Sequence, residues 1–168
     1  ALAIEASHIS IDVAKDIVLE SPVTIFYPTT FKTGNSSKLI VSENFQWGSS
    51  NAAITNKGNQ LHFMNVSLSG SEVTGYANKY LVKSTMGELR FDGKTVLDSK
   101  GVEHGICVEN CRVHIGGATS IRVGGYALYV LANNTFVQSF IRTSGTIKGN
   151  IYFIADHLNQ NYPNVVDV

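Results

Sequence analysis

Apolar residues alternate with polar ones in short runs along this chain, and the alternation survives single-residue bends. In GICVENCRVHIGG, from Gly105 to Gly117, Ile106 and Val108 share one phase. Asn110 interrupts that phase, and Cys111, Val113 and Ile115 then resume on the same side. LHFMNVSLSG, from Leu61 to Gly70, repeats the figure, with Leu61 and Phe63 before Asn65 and Val66 and Leu68 after it. Period-two alternation predicts strands, and asparagine tolerates the left-handed backbone that a tight corner requires. A chain assembled from strand–bend–strand figures predicts a solenoid.

The same reading extends along the chain. Ile9, Ile11 and Val13 alternate, Ile17 to Leu19 and Val23 to Tyr27 follow, and Leu39 and Val41 lead past Asn44 to Phe45 and Trp47. Further strands are predicted at Ala52–Ile54, Tyr80–Val82, Leu89–Phe91, Val96–Leu97, Ile121–Val123, Tyr126–Leu131, Phe136–Ile141 and Ile151–Ile154. Asp92-Gly93 is the strongest turn signal, and residues 71–79 read as a polar loop carrying Tyr76. The expected organisation is one β-helical domain over 1–168, with an N-terminal cap at 1–8 and a polar tail at 156–168. Corners at Asn65, Asp92 and Asn110 stand 27 and 18 residues apart, a spacing suited to the variable coils of a parallel β-helix. A β-sandwich is the alternative, because it too has short strands at close intervals. The bends favour the β-helix: they are too tight to reverse a hairpin, and the apolar side does not change across them.

Composition supports an all-β chain. Val and Ile number 31 against 11 Leu, and Ser, Thr and Asn supply 42 of the 168 residues. Charged residues are 15% of the chain, against roughly 25% in an average domain. The 13 basic and 13 acidic side chains cancel, which offers no footprint for nucleic acid or an anionic membrane surface. No apolar run approaches the ~18 residues of a membrane span, so no membrane insertion is expected. The opening ALAIEASHIS lacks the features of a signal peptide and reads as a fragment boundary. Cys107 and Cys111 fall on opposite phases and are expected as free thiols. The histidines at 62, 104, 114 and 157 have no ligand-like spacing, and no phosphate loop, nucleophile elbow or dinucleotide fingerprint occurs. No metal and no cofactor is therefore expected.

LHFMNVSLSG and ICVENCRVHIGG resemble the coil sequences of right-handed parallel β-helix proteins, the pectate-lyase-like enzymes and bacteriophage tailspikes. The opening SHISIDVAKDIVLESPVTIFYP is similar to the entry coil of such proteins, through Ile9, Ile11, Asp16, Ile17, Leu19 and Pro22. The low-charge, Ser/Thr/Asn-rich composition and the lack of an Asp cluster for calcium lean toward the tailspike or tail-fibre branch. That resemblance implies a homotrimer on the virion tail, extracellular, that binds bacterial cell-surface polysaccharide during host attachment. It also implies that these residues are part of a longer spike. Tailspikes often cleave the polysaccharide they bind, so an endoglycosidase or lyase is the first alternative, and a non-catalytic structural stalk the second.

On a β-helix, outward side chains of stacked coils form the functional surface. Around the central figure the outward phase carries Cys107, Glu109, Arg112 and His114, with Glu103 and His104 just before. Glycoside hydrolysis needs two carboxyls roughly 5–9.5 Å apart, and coils spaced ~4.8 Å apart can supply them. Asp92 or Asp98 with Glu109 is the candidate catalytic pair, and Arg112 and His114 are candidates to position substrate. Each also has an ordinary reading: Asp92 and Asp98 as turn residues, and Glu109 as the ion-pair partner of Arg112. Sugar binding without chemistry asks for aromatic faces, and Trp47, Tyr76, Tyr126 and Tyr129 are the candidates. Tyr126 and Tyr129 lie on opposite phases, so one of them is expected to face outward.

Overall fold

The computed structural model describes residues 8–70, 76–99, 102–116, 118–132, 140–143, 145–155 and 165–167. These residues contain no helix, and their strands pair in parallel into three faces that wind as a β-solenoid of about five turns. The first face stacks β1 (Ile9–Asp12), β4 (Thr29–Lys32), β7 (Gln60–Met64), the end of β9 (Tyr76–Asp92), the end of β11 (Val102–Ile115), β13 (Phe140–Thr143) and β15 (Val165–Asp167). The second stacks β2 (Ile17–Leu19), β5 (Lys38–Val41), β8 (Ser67–Ser69), β10 (Val96–Ser99), the start of β12 (Ser120–Ala132) and the start of β14 (Thr146–Ala155). The third stacks β3 (Val23–Ile25), β6 (Ala52–Lys57) and the remaining halves of β9, β11, β12 and β14.

Like residues stack on like inside this solenoid. On the second face the inner column runs Leu39, Leu68, Leu97, Ile121 and Ile147 in register. On the first face Phe31, Phe63 and Phe91 stack ring on ring, with centroids 5.4 and 5.2 Å apart and planes within 9°. Parallel pairing at ~4.8 Å per coil brings each aromatic into van der Waals contact with the next. Leu61, Phe63, Leu81, Leu89, Phe91, Leu97, Ile106 and Leu128 have no exposed surface. Each such side chain contributes roughly 1.5–3 kcal/mol. A one-residue slip would turn the whole column outward, so the hydrophobic pattern sets the register.

Both bent asparagines have left-handed backbones, but they serve different corners. Asn65 (φ 61°) turns the chain from the first face to the second, and Gly93 (φ 68°) does so one coil later. Asn65 Oδ1 accepts the Lys94 amide at 3.0 Å, tying those two corners together. Asn110 (φ 52°) turns the chain from the third face to the first, above Met86 (φ 55°) and Gly58 (φ 75°). Asp92-Gly93 is therefore a solenoid corner and not a hairpin. Asp92, read as a corner beside Asn65 and Asn110, is the last residue of a strand. The first-face register Thr29–Leu61–Leu89–Val113 gives coils of 32, 28 and 24 residues, of which the first two exceed the corner spacing and the third falls within it.

Other differences are local. Phe45 and Trp47 are buried but lie outside any strand, in the connection between β5 and β6. Tyr76 to Lys79 open β9 instead of closing a loop, and Val165–Asp167 in the expected polar tail form a strand on β13. The expected cap, apart from His8, and the start of the tail lie outside the described residues. The two cysteines are free thiols, as their phases indicated.

Candidate functional site

Two outer surfaces gather polar chemistry. The first is a groove of about 510 Å³ on the outside of the second face. Its floor follows one outward row in register across successive coils: Val18, Ile40, Ser69, Asp98 and Arg122. Lys38 and Glu43 also line it. From Ile40 onward each row residue alternates with a buried neighbour, as Ile40 does with Leu39 and Val41, so the packing of the core holds the row outward. Ser69 Oγ donates to Asp98 Oδ1 at 2.6 Å, which orients that carboxylate.

The second surface is an ionisable patch on the outside of the first face. His62, Arg90 and His114 occupy one outward row in register. Asp92 stands beside them at the end of β9, with Oδ2 2.9 Å from His62 Nε2 and 2.5 Å from Arg90 Nε. His114 Nε2 lies 3.6 Å from Asp92 Oδ1. Gly116 leaves room for this gathering, because a Cβ there would fall 2.6 Å from Asp92 Oδ1 and 2.7 Å from His114 Nε2. Burial lowers the pKa of His62 below its ordinary 6.5, outweighing the pull of Asp92. Burial alone would raise the Asp92 carboxyl, but the Arg90 hydrogen bond and charge, with His62, bring it below its ordinary value. At neutral pH the patch thus holds an ionised carboxylate against Arg90 and a neutral His62.

The three candidate carboxylates project from three different faces. Asp92 lies on the first, Asp98 on the second, and Glu109 on the third, in register with Thr85 and Leu131. Strand spacing alone predicted that neighbouring coils could pair them; the three-sided winding turns their strands apart. Asp92 and His114 do meet in the first-face patch. Arg112 lies on the same face one row away, exposed and in register with Glu88.

The aromatic candidates are arranged differently from expectation. Trp47 is only 8% exposed, packs on Phe45 at 4.6 Å, and carries the Lys79 ammonium 5.1 Å from its ring centroid. Tyr126 and Tyr129 do not point to opposite sides. Register shifts in β12 on either side of Tyr126 reset the phase, and the two rings meet at 5.7 Å. With Tyr80 they surround His104, which is 3% exposed and accepts the Tyr126 amide at Nδ1 across 3.0 Å. This outer cluster also covers Cys107, so an outward phase here does not mean an exposed side chain. Tyr76 lies in β9, and its side chain falls outside the described residues.

His62, Arg90, Lys38, Glu43, Ser69 and Arg122 were missed in the sequence. A signal for several of them was present. Leu61-His62-Phe63, Leu89-Arg90-Phe91 and Val113-His114-Ile115 are one phrase repeated, and its middle residue builds the first-face row. Leu68-Ser69, Leu97-Asp98 and Ile121-Arg122 repeat in the same way on the second face.

Among the described residues, no group of three His, Cys, Asp or Glu side chains is placed to hold a metal ion. Compared with known proteins, the chain matches no family model, no curated protein and no solved structure.

Proposed function

We propose that this chain is a receptor-recognition domain of the phage tailspike or tail-fibre type, binding bacterial surface polysaccharide in the second-face groove. The observation that carries the reading is the groove itself. It runs across successive coils and offers an extended ligand hydroxyl, carboxylate and guanidinium groups beside exposed aliphatic surface. A flexible polar polymer is held by many such modest contacts in a shallow, elongated site. The homotrimer and the location on the virion tail belong to the same proposal and rest on the sequence resemblance. The test is binding to a panel of purified capsular and O-antigen polysaccharides, with Asp98→Asn and Arg122→Ala as groove variants. Retention of polymer that both variants weaken supports the reading, and no retention across the panel leaves a structural stalk. Solution mass tests the trimer, and a monomer at high concentration counts against it.

A second reading is a depolymerase acting in the same groove, favoured by the two carboxylates that line it, Glu43 and Asp98. Their coils are two steps apart, about 10 Å by strand spacing, just beyond the roughly 6.5–9.5 Å between the carboxyls of inverting hydrolysis. Shortened chains in size-exclusion chromatography, abolished in Glu43→Gln or Asp98→Asn while binding persists, would establish it.

A further inference from the structure

Asp98 and Arg122 stand next to each other on the groove floor, in register on successive coils. Ser69, one coil before Asp98, donates its hydroxyl to Asp98 Oδ1 at 2.6 Å and orients the carboxylate. Among the described residues, Asp98 Oδ2 and the exposed Arg122 guanidinium have no hydrogen-bond or ion-pair partner. An acceptor and a donor of opposite charge therefore line the groove on strands about 4.8 Å apart without closing on each other. The other charged lining residues, Lys38 and Glu43, also balance. Half-buried Ile40 and Val18, which is 53% exposed, extend the same row two and three coils before Asp98 as an aliphatic floor.

Resting on the binding reading above, we propose that the groove selects a neutral polysaccharide, with Asp98 and Arg122 reading a pair of neighbouring sugar hydroxyls. A hydroxyl both donates and accepts, so one of the pair donates to Asp98 Oδ2 while the other accepts from the Arg122 guanidinium. Both contacts are charge-assisted, and each is stronger than a hydrogen bond between neutral groups. A charged sugar unit satisfies one of the two residues and is repelled by the other. A hexuronate on Arg122 lies against the Asp98 carboxylate one coil away, and an amino sugar on Asp98 lies against the guanidinium. Such like-charge juxtaposition costs more than a missing contact and gives specificity by rejection. Farther along the row, roughly 10–14 Å from Asp98, the C–H face of another sugar unit packs on Ile40 and Val18, where it needs no charge partner.

The test titrates four polymers against the whole chain by calorimetry. One pair is a hexuronate-containing capsular polysaccharide and its carboxyl-reduced neutral form. The other is a neutral O-antigen polysaccharide containing N-acetylhexosamine and its cationic N-deacetylated form. In each pair the neutral form is expected to bind about tenfold tighter or more, the scale of one misplaced charge. Its affinity is expected to be insensitive to salt. Asp98→Asn keeps the shape and removes the negative charge, and is expected to narrow the gap in the hexuronate pair. Arg122→Gln keeps a donor and removes the positive charge, and is expected to narrow the gap in the hexosamine pair. Equal or tighter binding of a charged form, or gaps that both variants leave unchanged, overturns this inference while leaving the groove as a glycan site. No binding by any of the four overturns both.

Discussion

His62 Nε2 lies 2.9 Å from Asp92 Oδ2, although the two residues are 30 positions apart and belong to successive coils. Both groups have pKa values lowered by folding, His62 through burial and Asp92 through Arg90 and His62 working against burial. The unfolded chain therefore binds protons that the folded chain refuses, and acid destabilises the fold. The contribution of His62 is complete above pH 6.5 and is lost as pH falls toward its lower folded value. That of Asp92 is complete above pH 3.8 and is lost below it. Urea midpoints are expected to fall between pH 7 and pH 5, and His62→Gln to flatten that slope. An unchanged slope in His62→Gln would sink the assignment.

Burial pushes the thiols of Cys107 and Cys111 up to about 11 each. At pH 8 about one thiol in a thousand is then ionised, and each cysteine is only 1% exposed. A coloured disulfide reagent is expected to titrate no thiol in the native protein and two after denaturation. Rapid native labelling of either cysteine would contradict the burial described here.

Phe63 sits between Phe31 and Phe91 in the interior column and has no exposed surface. Phe63→Ala is expected to cost about 3–5 kcal/mol, because its neighbouring coils cannot collapse into the gap without losing register. Phe63→Leu keeps most of the volume and is expected to cost less than half as much. Equilibrium urea unfolding measures both.

Gly58 and Gly87 both have positive φ, but only one is crowded. A Cβ on Gly58 meets nothing within 4 Å, whereas one on Gly87 falls 2.4 Å from the Asn59 carbonyl oxygen. Gly58→Ala is expected to cost about 1–2 kcal/mol for the left-handed conformation alone. Gly87→Ala adds about 1–3 kcal/mol of overpacking against backbone. Equal costs for the two would mean that coil contact at this corner is looser than the structure shows.

Asn56 is fully buried on the inner phase of the third face. Its Nδ2 donates to the Asn59 carbonyl at 2.8 Å and to Ser84 Oγ at 2.9 Å, and Ser84 Oγ lies 3.0 Å from Cys111 Sγ. Asn56→Asp keeps the shape but turns a donor toward a carbonyl into an acceptor. It is expected to lower stability by about 3 kcal/mol or more near neutral pH, with partial recovery in acid as the carboxyl protonates. A midpoint within error of the parent would rule this network out as a structural element.

The sequence by itself determined the solenoid. Leu61, Phe63, Val66 and Leu68 keep one phase across Asn65, as Ile106, Val108, Cys111, Val113 and Ile115 do across Asn110, and all nine are buried. Strand alternation and a residue able to adopt positive φ are local properties, so they are legible without knowing what packs against what. The divergence of Cys107 from Cys111 was legible for the same reason.

What only the tertiary structure decided was which outward residues share a face. Coil lengths of 32, 28 and 24 residues are set by the connections, and no local rule states them. Asp92, Asp98 and Glu109 looked like neighbours in the chain and stand on three faces, while His62 and Arg90, distant in sequence, close on Asp92. Register shifts beside Tyr126 likewise moved it into the cluster with Tyr129, against its nominal phase. Inward positions are dictated by each strand's own alternation, but the company an outward side chain keeps depends on where the winding closes. That closure is a property of the packed coils as a whole.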